Sequence, residues 1–248
     1  KDTVLLGEYV GGIVGYGNGC QIAGCKTEKG GYVLGSDYVG GIAGGLSNDA
    51  SKAIPGSTTG SSGVAVTTNG GYVIGYRYVG GIVGKNDGEN QTTVTNCINN
   101  GVAAGYECYI GGIVGYNGEN GYLKDCASYI SDYSGGLLKT IREQWKATTG
   151  DCSGGLAGYN DGGIEFTRDS EKLTVKSVSS IVVGRYYVGG LIGFNDTKGT
   201  LKVDYTLIGG QIYAEGDGVG GCIGLNASTA LLTQDLTIKP SSVTGNYY

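Results

Sequence analysis

The 248-residue chain has no histidine and no methionine, two prolines, one tryptophan and two phenylalanines. Each shortage excludes something. Without histidine there is no Ser-His-Asp triad, no Cys-His pair and no histidine-bearing metal centre, and the commonest general base is missing. The seven cysteines (Cys20, Cys25, Cys97, Cys108, Cys126, Cys152 and Cys222) form no C-x-x-C pair, so a zinc site would need sulfurs from distant parts of the chain. No apolar run approaches the ~20 residues of a membrane-spanning helix, so no membrane insertion is expected of this segment. The formal net charge is −5, with Lys and Arg scattered, which argues against a nucleic-acid or anionic-membrane partner. There is no P-loop motif, and the many Gly-x-Gly strings lack the strand-to-helix context of a dinucleotide site. A chain that starts at Lys1, contains no methionine and shows no signal peptide is expected to be a mature product or a piece of something longer.

Glycine is abundant instead, at 52 residues, without the Gly-X-Y period of collagen. Many of these glycines belong to one phrase, Tyr-Val-Gly-Gly-Ile-Val-Gly and close variants. Its Gly pairs stand at Gly11-Gly12, Gly40-Gly41, Gly80-Gly81, Gly111-Gly112, Gly154-Gly155, Gly189-Gly190 and Gly220-Gly221. Successive pairs are 29, 40, 31, 43, 35 and 31 residues apart. Self-similarity at this period is the signature of stacked repeats. Between phrases run short β-rich stretches punctuated by Gly and Asn, such as Tyr122 to Ala127 and Val94 to Ile98. The expected fold is all-β: a right-handed parallel β-solenoid of about seven coils, stacked at ~4.8 Å to a height of roughly 35 Å.

One repeat domain is expected over 1–248, with two insertions. The first, about 47–69, is rich in Ser, Thr and Gly and reads as a surface loop or added hairpin. The second, about 128–151, carries Leu137, Ile141 and Trp145 at i, i+4, i+8. That spacing predicts one short docked helix over 136–147, with Trp145 as its docking residue. Residues 231–248 lack the phrase and read as a partial terminal coil or cap, because an open solenoid end leaves a strand edge unpaired.

In a solenoid, equivalent residues lie over one another, so recurring side chains are expected to form columns. Asn86, Asn117, Asn160, Asn195 and Asn226 recur after the phrase and predict a hydrogen-bonded structural ladder. Asparagine also tolerates the left-handed conformation of a corner. Tyr9, Tyr38, Tyr78, Tyr109 and Tyr187 precede the Gly pairs and predict an aromatic ladder, with Tyr16, Tyr116, Tyr159 and Phe194 as a second column. The glycines are assigned to positive-φ corners and to close backbone approach. Cys25, Cys97 and Cys126 recur at similar offsets; a stacked row of small buried side chains is the preferred reading, and a disulfide framework is the other.

The phrases Val10 to Tyr16, Val79 to Asn86 and Val188 to Asn195, with the run Asn96 to Gly101, resemble the GLUG repeat. That motif occurs in bacterial surface proteins, including putative adhesins and the non-catalytic repeat regions of IgA-specific metalloprotease-like proteins. The resemblance implies an extracellular, cell-surface or secreted location and a non-catalytic structural or adhesive role as a rigid stalk or binding surface. Partners would be a host protein or glycan, or neighbouring copies end to end. The His-Glu-x-x-His protease motif is absent from a chain without histidine.

Two other functions stay open. Parallel β-helices host glycoside hydrolases and lyases, for which paired carboxylates suffice. Asp87, Glu89, Glu119, Asp161 and Asp196 would be the candidates, although acids in turns are ordinary turn residues. Solenoid ends stacking between molecules would make a fibre or sheath subunit. No enzyme activity and no cofactor are expected. The one cation the sequence admits is Ca²⁺ at the Asn-Asp pairs 48–49, 86–87, 160–161 and 195–196.

Overall fold

The computed structural model describes residues 7–49, 62–65, 67–129, 151–166, 176–203, 206–229, 236–238 and 242–245. They form a parallel β-solenoid of seven coils, each numbered here by its Gly pair. Every strand pairing among the described residues is parallel, as successive turns of one coil require. One wall is the strand entering each phrase, from Val10–Gly11 through Tyr72–Gly80 to Val219–Gly220. The next wall is the strand leaving it, from Val14–Asn18 to Ile223–Asn226, again seven rungs deep. A third wall runs from Gln21–Ala23 to Thr200–Val203, and a fourth of two-residue rungs from Lys26–Thr27 to Ala127–Ser128.

The register repeats the sequence alignment. Val39 lies over Val10 and under Val79; Gly40 lies over Gly11 and under Gly80. The core is a set of columns: Ile42, Ile82, Ile113, Leu156 and Leu191 behind the Gly pairs meet Val64, Val94, Leu123, Ile164 and Leu201 from the third wall, all buried. Strand alternation sends these inward and their neighbours outward.

The phrase glycines and positive φ separate in this fold, while Gly19, Gly24, Gly30 and Gly218 do take left-handed corners. None of the phrase glycines has a left-handed φ, and neither do the ladder asparagines. The left-handed corner falls instead on Tyr9, Tyr38, Tyr78, Tyr109, Cys152 and Tyr187, with φ of 52–60°. A second left-handed column, Gly24, Asn96 and Asp125, turns the third wall into the fourth, using residues that tolerate this conformation. The phrase glycines serve close approach. A Cβ on the first of each pair would lie under 3.0 Å from the carbonyl oxygen three residues on, and one on Gly12, Gly41, Gly81 or Gly112 under 3.0 Å from the next coil's backbone. The third glycine packs on the left-handed residue of the coil below: Gly84 on Tyr38, Gly115 on Tyr78, Gly193 on Cys152.

The region read as a single insertion over 47–69 is partly regular wall. Ser62–Ala65 pairs with Gln21–Ala23 and Thr92–Thr95, and Thr68–Asn69 with Lys26–Thr27 and Ile98–Asn99. The expected helix at 136–147, with Trp145, lies outside the described residues. In the tail, Leu236–Ile238 and Ser242–Gly245 both pair with Thr206–Ala214, extending the stack beyond coil 7 on that side. Among the described residues no helix is long and apolar enough to cross a membrane.

Candidate functional site

The recurring asparagines form one buried column on the second wall. Asn86 Nδ2 donates to Asn117 Oδ1 (2.8 Å), Asn117 to Asn160 (2.8 Å), Asn160 to Asn195 (2.7 Å) and Asn195 to Asn226 (2.8 Å). Each of the last four also donates to a carbonyl of the following corner, Gly121, Gly162, Gly199 and Ser228 in turn, at 3.2 Å. A primary amide has two donors and one carbonyl oxygen, so one residue type both links rungs and closes its own corner. The ladder starts abruptly: Leu46 occupies the coil 2 position, and Asn86 Oδ1 is buried without a hydrogen-bond partner. A second column, on the fourth wall, escaped the sequence reading. Thr27 Oγ1 donates to Asn69 Oδ1, and Asn69 Nδ2 to Asn99 Oδ1 at 2.8 Å. The recurrence of Asn ahead of glycine at Asn69-Gly70 and Asn99-Asn100-Gly101 was its signal.

The predicted aromatic column is stacked over its first three members and continues to the fourth with a tilted ring. Ring centroids lie 4.5 Å apart for Tyr9–Tyr38, 4.7 Å for Tyr38–Tyr78 and 5.2 Å for Tyr78–Tyr109. Cys152 takes the coil 5 position, so Tyr187 does not stack on Tyr109; it sits 6.1 Å from Phe194. The second column meets the first edge-on, Tyr16 on Tyr9 and Tyr116 on Tyr78, and stacks on itself at Tyr116–Tyr159 (4.8 Å). Burial pushes the Tyr109 and Tyr116 phenols up to about 12, ahead of the Cys152 and Cys108 thiols beside Tyr109 and of Asp87 and Asp161 beside Tyr116.

The carboxylates weighed for catalysis sit in corners and are engaged there. Asp87 pairs with Lys85 (3.5 Å). Asp161 Oδ1 accepts the Lys198 backbone N–H (2.9 Å). Asp196 accepts the Thr197 N–H (2.7 Å) and the Tyr159 hydroxyl. Glu119 pairs with Lys198 (2.6 Å). Glu89 is exposed in the coil 3 corner. Of the Asn-Asp pairs, Asn48-Asp49 is tied to coil 1, where Asn18 Oδ1 accepts the Asp49 N–H (2.8 Å) and Asn18 Nδ2 donates to the Asp49 carbonyl (3.0 Å). Among the described residues no three His, Cys, Asp or Glu side chains gather to hold a metal ion.

All seven cysteines are free thiols. Cys97 and Cys126 follow one another at the bend into the fourth wall, both buried, with Thr67 in the coil 2 position donating to Cys97 Sγ (3.3 Å). Cys126 donates to the Val94 carbonyl (3.3 Å), and burial pushes its thiol well up. The free thiols go with a stacked row, but a buried one only for Cys97 and Cys126: Thr67 stands between them and Cys25, which is partly buried. Burial likewise pushes the Cys152 and Cys222 thiols up to about 12.

Two bidentate ion pairs also escaped sequence reading, because their members are far apart in sequence. Arg77 grips Asp37 (3.0 and 2.6 Å) and Arg185 grips Asp151 (2.8 and 3.0 Å), each joining adjacent coils. Each guanidinium also lies over a neighbouring tyrosine ring, at 5.7 Å for Tyr78 and 5.2 Å for Tyr186. The chain matches no protein-family model, no curated protein and no solved structure.

Proposed function

We propose that this chain is a non-catalytic scaffold segment of a bacterial cell-surface or secreted protein, a GLUG-type repeat array acting as a stiff stalk that presents a binding surface. The observation that carries this reading is the continuity of the buried amide ladder. It runs over five consecutive coils without a break and fixes each coil on the next. A rod held this way resists bending and slippage, since any shift of register orphans buried amides and brings side chains into the close approaches that only the phrase glycines fit. The carboxylates that a glycan-cleaving enzyme would use are committed to lysine, backbone N–H and tyrosine partners, which weighs against the enzymatic reading. Antibodies raised against the chain should label intact cells of the source organism. Labelling only after lysis would contradict the proposal.

Stacking of copies end to end is a second reading, favoured by the outer face of coil 1. The phrase residue Ile13 of coil 1 is 50% exposed, whereas its equivalents Ile82 and Ile113 are wholly buried and the coil 7 equivalent, Cys222, is 8% exposed. Concentration-dependent filaments in electron micrographs would support it, and a monomer at all concentrations would end it.

A further inference from the structure

The corner after the amide ladder changes length from coil to coil. Between the ladder asparagine and the register position Thr93, Tyr122, Gly163 or Thr200 lie six residues in coil 3, four in coil 4, two in coil 5 and four in coil 6. The short coil 5 corner, Asp161-Gly162, is drawn onto coil 4. A Cβ on Gly162 would lie under 3.0 Å from the Gly118 and Gly121 carbonyl oxygens. The longer corners on either side leave a notch, and there the surface holds a cleft of about 500 Å³. It reaches from Gln91 of coil 3 to Thr200 of coil 6, a span of roughly 14 Å at the ~4.8 Å coil spacing. Lys198 of coil 6 and Glu119 of coil 4 meet above the short corner at 2.6 Å, so their ion pair straps the notch. Asn120 is held against coil 3 by donating to the Gly88 carbonyl (2.8 Å), and the Tyr122 ring lies against Gly163 with its hydroxyl on Glu165.

We propose that this notch binds a short neutral oligosaccharide, admitted when the Lys198–Glu119 strap opens. The proposal rests on the binding-surface reading above and names its ligand class. The lining combines carboxylates, amides, a hydroxyl and one tyrosine ring, groups that together match the vicinal hydroxyls and apolar faces of a sugar. Its size lies within the range of small-ligand sites. An anionic ligand would meet Glu119 and Asp161 against Lys198 alone, in a chain of net charge −5. A peptide finds no β-edge inside the notch: Gly121–Lys124 and Gly163–Phe166 pair with neighbours on both sides, and Thr200–Val203, the outermost described strand of that wall, is open only on the side away from Gly163–Phe166. An exposed ion pair contributes little stability, so opening the strap costs little.

The whole chain should be screened on an array of neutral tri- and tetrasaccharides, with acidic oligosaccharides and peptides alongside, and hits measured by calorimetry. The expected result is binding of at least one neutral oligosaccharide, weakened tenfold or more by inserting Gly-Ser between Asp161 and Gly162, which gives coil 5 its neighbours' corner length. Thr200→Trp, which fills the cleft from an exposed wall position, should weaken it similarly. Circular dichroism identifies which of the two variants keeps the fold. Undiminished binding by a folded variant would overturn the notch as the site, and binding only to acidic oligosaccharides or peptides would overturn the ligand class. Binding to nothing on the array would also overturn the proposal. None of these failures touches the scaffold reading, which the cell-labelling experiment judges separately.

Discussion

Coil 1 and coil 4 are written in nearly the same letters and live in different surroundings. Ile13 and Ile113 follow the Gly pair identically, yet Ile13 is half exposed and Ile113 has no accessible surface. Tyr16 is 41% exposed at the end of its column, while Tyr116 stacks between coils. The ladder position of coil 4 is Asn117, bonded on both sides; that of coil 1 is Gly17, under Leu46. In a stack, position along the axis sets what a residue contributes, because most of its partners belong to the coils above and below. Identical substitutions in the two coils should therefore have unequal effects.

The widest gap is expected between glycines at different places in the coil, since Gly11 of coil 1 is as tightly enclosed as its equivalent Gly111. Gly111→Ala places a Cβ against the Val114 backbone and 2.6 Å from Leu156 O of coil 5, neither of which can yield alone. It should cost more than about 4 kcal/mol in urea unfolding, or prevent folding. Gly24→Ala in coil 1 meets nothing within 4 Å and carries only the penalty of its +66° φ, about 1–2 kcal/mol. Equal losses at the two sites would break the comparison. Next comes the core column: Ile113→Ala should cost about 2–5 kcal/mol, and Ile13→Ala under about 1 kcal/mol. Third is the ladder. Asn117→Ala orphans Asn86 Nδ2 and Asn160 Oδ1, both buried, for about 2–4 kcal/mol, whereas Asn226→Ala at the exposed end should cost under about 1 kcal/mol.

The smallest effect is expected with pH. The Tyr109 and Tyr116 phenols are pushed up to about 12 by burial, so the folded state holds its protons more tightly than the unfolded chain, which titrates near pH 10. Their contribution is whole below about pH 10 and is lost as pH rises toward about 12. Unfolding midpoints should fall across that window, and less steeply in a Tyr109→Phe, Tyr116→Phe double variant. An unchanged slope would remove these two phenols from the account.

The stacked coils were legible because equivalent residues must meet: phrase period, Asn ladder positions and Tyr positions all follow from one alignment. What was not legible has physical reasons. Tyrosine is a poor left-handed residue, so nothing in its chemistry announces φ near 55° at Tyr78, where Gly115 packs against its backbone from the coil above. Ser62–Ala65 is small and polar enough to pass for a loop, and becomes a strand because Thr92–Thr95 and Gln21–Ala23 lie on either side. The ion pairs Arg77–Asp37 and Arg185–Asp151 and the strap Lys198–Glu119 join different coils, and the notch exists only as a difference between neighbouring corners. A chain read one repeat at a time holds no sign of them.

The central claim is that corresponding residues of successive coils are in direct side-chain contact along one axis. NMR couplings transmitted across hydrogen bonds test this on deuterated protein with labelled asparagine amides. The account predicts a connected series from Asn86 through Asn117, Asn160 and Asn195 to Asn226, with side-chain protons slow to exchange. Uncoupled amides exchanging as fast as free asparagine would contradict it.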